Sequence, residues 1–390
     1  SAGIRTGARQ SQGAGTDGGG GEAGCAAGGG AGGGEELGRS TLGGEMKLVT
    51  GIRVKGFRSL RDTSVEKLGQ FSAFAGANNA GKSNVLRALC AFFTDQIEPG
   101  VALDVRAHCW RPLLKQKKKK VIFIALEFSL PAHFKFRKGL ESVGEALGTN
   151  FILVKCWSAD GDRPIFYLHK SAKLDEVDFD HLDSKDVFAE ESARSFLGLI
   201  GFRYIPNRVI PTEVIRSEHQ ALRDVLVRRL AKFKSSEAAL FQKIESTAKN
   251  LLSSVSQQIS TMVPNVDALT LGTARSLADL AFKFGYLVAE GGSEMTEDEQ
   301  GSGMQSLLML QTLHMIDLDY FQQFGWKQAS IWAVEEPESS LHAALEARVA
   351  HYLSTISRDS QGRLQTMATT HSDLVIQYAD QGFLVTKQSK

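Results

Sequence analysis

The sequence predicts an α/β fold built around a parallel sheet, and three observations carry that prediction. An apolar strand, "FSAFA", runs into "GANNAGKSN" (Gly76–Asn84) and then into a helix with Val85, Leu86, Leu89 and Phe92 on one face. A second apolar strand, Ser330–Val334, ends in Glu335 and Glu336 and is turned out of the sheet by Pro337. A third, "LQTMATT", ends at His371. Strands alternating with helices at both ends of the chain give the α/β core, and the segments between read as insertions into it.

The elements follow in order. Residues 1–45 are rich in Gly and Ala and nearly devoid of large apolar side chains. Such a leader cannot bury enough surface to offset its ordering entropy, so it is expected to be disordered. Met46 reads as the natural start, with the leader as upstream translated sequence; a flexible functional tail is the alternative. "KLVTGIRVKGF" predicts a strand, and Lys82–Phe93 a helix. "KKVIFIALEFSL", "FILVKCWSA" and "PIFYLHK" predict an antiparallel meander. "SARSFLGLIGFRYIPNRVIP" predicts a short helix, a strand and a turn. From Val214 to about Met262 the pattern is charged and helical, as one long arm or two packed helices. A strand near Leu280–Leu287, an acidic loop "EGGSEMTEDEQGSG", a helix from Gly303, a helix from Ser340 and a last strand "GFLVT" complete the series.

Bulk properties narrow the function classes. The 390 residues carry a net charge of +1, so the chain as a whole is no polycation obliged to meet nucleic acid. Cys25, Cys90, Cys109 and Cys156 are scattered without a CxxC pair, which speaks against a zinc site or disulfide scaffold and fits a reducing cytoplasm. No apolar run approaches the roughly 20 residues of a membrane span, and the N-terminus lacks the apolar core of a secretory signal.

The chemistry concentrates in four places. Gly76, Gly81, Lys82 and Ser83 fit G-x-x-x-x-G-K-[ST] without a mismatch. The glycines let a loop curl its N–H groups onto phosphate oxygens, and the following helix presents its positive end. Lys82 is placed to reach the β- and γ-phosphates of a nucleotide, and Ser83 to offer its hydroxyl to Mg²⁺. At the crevice end of a buried parallel strand, Glu335 is placed to hold the Mg²⁺ shell. Glu336 is placed to orient and deprotonate a water; a solvated helix cap is the plainer reading of the pair. "GSGMQ" (Gly301–Gln305) opens a helix and offers another anion-binding end, or an ordinary cap. His371 is placed to touch the γ-phosphate or order the water.

Together these motifs resemble the ABC-type ATPase heads of the RecF, SMC and OLD (overcoming lysogenisation defect) group. "IRVKGFRSLRD…GANNAGKSNVLRAL" looks like the opening of such heads, with Asn78, Asn79 and Asn84 in the usual places. "GSGMQ" resembles the signature, and "EEPESSLH" is closest to the OLD branch, as is "YIPNRVIP" (Tyr204–Pro211). The resemblance implies a P-loop NTPase head with an antiparallel β subdomain and a helical insertion. It divides the chain into the leader (1–45), an N-terminal part with the phosphate loop and meander (46–212), the insertion (213–265), and a C-terminal part with signature, Walker B pair and His switch (266–390). It also implies a homodimer that sandwiches two ATP molecules, with Ser302, Gly303 and Gln305 of one chain at the γ-phosphate held by the other. Glu335 departs from the Asp more common at the metal position.

Many OLD proteins continue into a Toprim nuclease, and no acidic metal cluster follows His371 here. The expectation is a stand-alone ATPase, or a fragment, that controls a separate nuclease or toxin, as in PARIS- and Septu-type phage defence. The alternative is a RecF- or SMC-like clamp on DNA in repair or recombination. For that reading "LLKQKKKKV" (Leu113–Val121) supplies a basic run, although a solvated loop explains the run more simply. No membrane partner is expected.

Overall fold

A computed structural model of the chain describes residues 2–6, 47–117, 119–170, 173–230, 237–263, 266–272, 285–321, 327–339, 341–359 and 363–387. Two six-stranded sheets dominate it. The first runs β1 (Ala2–Thr6), β17 (Gln381–Lys387), β4 (Phe71–Ala75), β16 (Leu364–Thr370), β15 (Ala329–Glu335), β11 (Ile200–Ile205). From β17 to β11 every pair is parallel. The second is wholly antiparallel and runs β10 (Val187–Phe188), β9 (Ile165–His169), β8 (Asn150–Ser158), β7 (Val121–Ser129), β2 (Val49–Phe57), β3 (Leu60–Glu66). A three-stranded sheet, β12 (Val266–Gly272), β13 (Gly285–Glu290), β14 (Ser293–Thr296), and a small hairpin of β5 (Gln96–Glu98) and β6 (Val101–Ala102) complete the set.

Burial explains the architecture. Every residue of β15 and β16 is buried, as expected of strands covered on both faces. The phosphate-loop helix, Lys82–Thr94, packs its apolar face (Val85, Leu86, Leu89, Phe92) into the core shared by the two large sheets. The opposite side of the parallel sheet is covered by helices Pro211–Leu230, Glu237–Met262, Ser302–Asp319 and Ala343–Asp359, around Trp332, Val334 and Tyr352.

Several expectations change. Ala2–Thr6, placed by the sequence in a disordered leader, pair antiparallel with β17 from Ala2↔Lys387 to Thr6↔Phe383. "AGIRT" lies outside the Gly tract and finds the ladder that a free strand edge offers. Residues 7–46 lie outside those described, and so does Cys25. The insertion is two helices rather than one arm. The first begins at Pro211, three residues before Val214, because proline fits a helix's first turn. Its side chains Ile215, Leu222 and Val225 join the central core. The acidic loop contains β14 and a helical turn, Glu297–Glu299, capped reciprocally by Thr296 and Glu299. The expected strand at Leu280–Leu287 appears from Gly285, residues 280–284 lying outside those described, as does Ser340.

One side chain joins the two large sheets. Gln365, on β16 and buried, accepts from Val49 N at 2.9 Å and donates to Val49 O at 2.7 Å and Gly69 O at 2.8 Å. Leucine is similar in volume but meets none of these groups. Gln365→Leu is expected to lower unfolding stability by roughly 2–4 kcal/mol, because buried backbone groups lose their partners. A denaturant titration checks this; an unchanged midpoint would show that water reaches the joint.

Candidate functional site

Four parallel neighbours end at one level, and their ends build the site. Register pairs Ala75 with Thr370, Glu335 with Thr369 and Ile205 with Val334. The residues that follow therefore emerge side by side: Gly76 after β4, His371 after β16, Glu336 after β15, and Asn207 two residues beyond β11. This is the carboxyl edge at which α/β sheets bind ligands.

The loop after β4 is curled as phosphate binding demands. Gly76 has φ 152°, Asn79 φ 62° and Gly81 φ 106°. A Cβ on Gly76 would stand 2.2 Å from Val385 O, so only glycine fits. Lys82 is 5% exposed and folds back over the loop. Its Nζ donates to Gly76 O at 2.9 Å and Ala77 O at 3.3 Å, and lies 2.7 Å from His371 Nε2. Burial lowers the proton affinity of this amine, while Glu336 and Glu338 act to raise it.

The acidic side is ordered around those contacts. Glu336 has φ 44°, the left-handed region, and its N–H donates to Thr369 O at 2.8 Å. A side chain held so is characteristic of a functional turn. Its Oε1 lies 3.5 Å from His371 Nε2, and its Oε2 accepts from Asn207 Nδ2 at 3.1 Å. Glu338 Oε1 accepts from Thr370 Oγ1 and from His371 N, both at 2.7 Å, and so fixes the turn that carries the imidazole. Glu335 is 6% exposed, and its Oε1 has no hydrogen-bond partner; Arg87 Nη2 is the nearest cation, at 3.6 Å. Tyr204, buried beside it, has its phenol pushed up by burial and then by that carboxylate.

A cleft of about 730 Å³ opens over the loop. Asn78, Asn79, Gly81, Lys82, Ser83, Asn84 and Glu336 line it, together with Arg58, Trp110 and Arg111 from outside the motif. Asn84 Nδ2 also donates to Ser59 Oγ at 2.7 Å, tying the helix start to the β2–β3 turn. Thus the loop residues, Glu336 and His371 are brought together. Glu335 closes β15 next to Glu336 but is buried and does not itself line the cleft. Its orphaned carboxylate oxygen, in a chain whose Ser83 lines the cleft, is the donor set a hard divalent cation such as Mg²⁺ favours.

The signature residues do not join this cleft within the chain. Ser302 is exposed at the start of its helix. Gly303 is buried, and a Cβ there would meet the tips of the Leu345 and Leu341 side chains, which would have to shift to admit it. Gln305 Nε2 donates to Glu297 O at 3.0 Å. The basic run lies in the loop before β7; Lys115, Lys117 and Lys119 are exposed there, Lys120 Nζ bonds Gln116 O, and Lys118 lies outside the described residues. Sequence reasoning passed over Asn207, Glu338 and Arg58 as site residues. Only "YIPN" after an apolar strand hinted at the first, and the repeated glutamate of "EEPE" at the second.

Comparison with known proteins places these features. A family model described as "AAA domain, putative AbiEii toxin, Type IV TA system" matches residues 71–377, well over half of the chain. Two proteins of Methanocaldococcus jannaschii, MJECL10 and MJECL44, are 43% and 40% identical over 47 and 48 residues. Those matches span 12% of this chain each, and 22% and 14% of the two relatives. Among solved structures, an SMC head bound to the C-terminal winged-helix domain of ScpA aligns with a TM-score of 0.57 at 15% identity, covering 87% of this chain and 95% of that one. An SMC head of Pyrococcus furiosus, bound to the C-terminal domain of ScpA, gives 0.53 at 16%, covering 87% and 94%. One of Pyrococcus yayanosii gives 0.51 at 12%, covering 87% and 95%. At these identities the likeness is one of fold: this chain has the α/β fold of SMC-type ATPase heads. No helix among the described residues is long and apolar enough to cross a membrane.

Proposed function

Because the chain belongs to this AAA-domain family and is an ATPase of the AAA/SMC-head type, we propose that it hydrolyses ATP in the cleft above Gly76–Asn84 and that two copies close on the nucleotide. The observation that carries the reading is the meeting of Lys82, His371, Glu336 and Asn207 at four adjacent strand ends. In this reading the loop N–H groups and Lys82 bind the phosphates, and Glu336 accepts the proton of the attacking water. Asn207 and His371 hold the Glu336 carboxylate from its two sides. Ser83 and Glu335 would hold Mg²⁺, which neutralises charge on the phosphates when bound.

The exposed end of the Ser302–Asp319 helix lies away from its own chain's cleft, which favours a role at the cleft of a second chain related by a two-fold axis. Ser302→Arg is therefore expected to leave ATP binding intact and to abolish ATP-dependent pairing, as read by sedimentation velocity. Undisturbed pairing would reduce the motif to a helix cap.

The opening and closing of such a pair is proposed to control a separate effector, a nuclease or toxin, in phage defence. The family's toxin–antitoxin description supports that direction. A DNA-binding clamp is the second reading, favoured by Arg106, Arg111, Lys115, Lys117 and Lys119, exposed in one stretch next to the cleft. Capturing what co-purifies with tagged Glu336→Gln protein separates them. A stoichiometric nuclease or toxin supports the first, and nucleic acid released by salt supports the second.

A further inference from the structure

The cleft is longer than the phosphate loop, and its far wall is unassigned. That wall is the segment His108–Pro112, with Arg58 facing it from the β2–β3 turn. The segment is unusually well anchored for a loop. Asp104 caps its first helical turn by accepting from Arg106 N and Ala107 N. Arg58 N donates to His108 O at 2.8 Å, Trp110 N donates to Gly56 O at 2.8 Å, and Cys109 bridges Phe57 with its side chain 1% exposed. The β2–β3 turn that receives these bonds holds Gly56 at φ 80° and Arg58 at φ 48°. A Cβ on Gly56 would stand 2.7 Å from Val121 O, so the turn cannot relax by substitution there. Trp110 is thus held on a stiff double loop. Its ring is half-buried, stands 5.3 Å from the Arg61 guanidinium, and forms part of the cleft wall.

The charges beside the ring are unbalanced. Arg58 and Arg111 both line the cleft, and no carboxylate of the cleft lining other than Glu336 accompanies them. Burial and the neighbouring Arg87 make the Arg58 proton easier to lose, with Arg111 adding to the effect; Glu98 and Tyr204 oppose it. A bound anion relieves that repulsion. A planar ring and two guanidiniums next to a phosphate loop are the complement of a nucleoside and its nearest phosphate: aromatic surface for a base, fixed forks for phosphate oxygens.

We propose that Trp110 is the stacking platform for the base of the bound nucleotide, with Arg58 and Arg111 taking its α-phosphate end. This rests on the ATP reading above and extends it from the phosphates to the nucleoside. Stacking is blind to base edges but grows with ring area, so the platform favours purine over pyrimidine triphosphates without separating ATP from GTP.

The test compares ATP with inorganic tripolyphosphate, which offers phosphates and no base. Calorimetry on the full chain is expected to show that Trp110→Ala weakens ATP roughly tenfold or more and leaves tripolyphosphate affinity unchanged. Trp110→Phe, which keeps a ring and the fold, is expected to retain most of the ATP affinity. It is also expected to lose the ATP-dependent quench of tryptophan emission that the wild type shows and tripolyphosphate does not produce. A quench that survives in Trp110→Phe, or equal losses for both ligands in Trp110→Ala, overturns the inference and leaves the phosphate site standing. A wild-type chain that binds neither ligand removes the phosphate-loop reading, and this inference with it.

Discussion

Glu336→Gln protein is expected to hydrolyse ATP roughly 10²–10⁴ times more slowly than the wild type while binding it as tightly, the range typical for loss of a general base. The geometry favours this side chain over its neighbour as the proposed base. Glu335 closes β15, 6% exposed, with Arg87 as its nearest cation. Glu336 is lifted out of the sheet by its left-handed backbone; Asn207 Nδ2 donates to one of its oxygens, and His371 Nε2 stands 3.5 Å from the other. Glutamine keeps the shape and can still bond Asn207, but it cannot take a proton. Asn207→Ala is expected to give a smaller loss in kcat with little change in KM, since the base remains but is less well aimed. Single-turnover kinetics read both effects. An unchanged rate in Glu336→Gln would move the base elsewhere, and Glu338, whose Oε1 holds Thr370 and the His371 turn while its Oε2 has no partner among the described residues, would be the next side chain to replace.

Lys82→Ala is expected to weaken ATP binding by roughly two to three orders of magnitude, the usual consequence of truncating one side of a buried charge pair. The Lys82 amine donates to Gly76 O and Ala77 O and lies 2.7 Å from His371 Nε2. Phosphate oxygens would replace neutral acceptors by charged ones, so the ammonium gains on binding. The fold should survive, because the carbonyls it releases sit on a loop that is partly exposed. Equilibrium dialysis with labelled ATP measures the effect, and near-normal affinity would withdraw the assignment of this loop to phosphate.

The contrast between what sequence could and could not convey follows from distance along the chain. The phosphate loop, the Glu335–Glu336 pair and the meander are local patterns: glycine spacing, an apolar run with an acidic end, alternation of period two. Each depends on residues within a dozen positions of one another. The strands passed over are short or polar. β3, "LRDTSVE", has only Leu60, Thr63 and Val65 buried, and β14, "SEMT", has none. Non-local bonds left no mark at all. Asn207 meets Glu336 across 129 positions, and Arg87, on the phosphate-loop helix, approaches a carboxylate on β15. The helical insertion was legible as helical, and its stripes as core rather than a ligand site, but one arm and two packed helices stayed open because an apolar stripe reads the same on either.

The strand order of the parallel sheet also imposes a schedule on synthesis. β4, which carries the phosphate loop, lies between β16 and β17, which leave the ribosome long after it. At about 5–20 residues per second, roughly 15–60 s separate the emergence of the loop from that of the strand bearing His371. During that interval β4 has neither sheet neighbour, and its edges are open to other chains or to chaperones. Competence for nucleotide thus arrives late and all at once, so a nascent or truncated head is not a weak ATPase but an unfinished one.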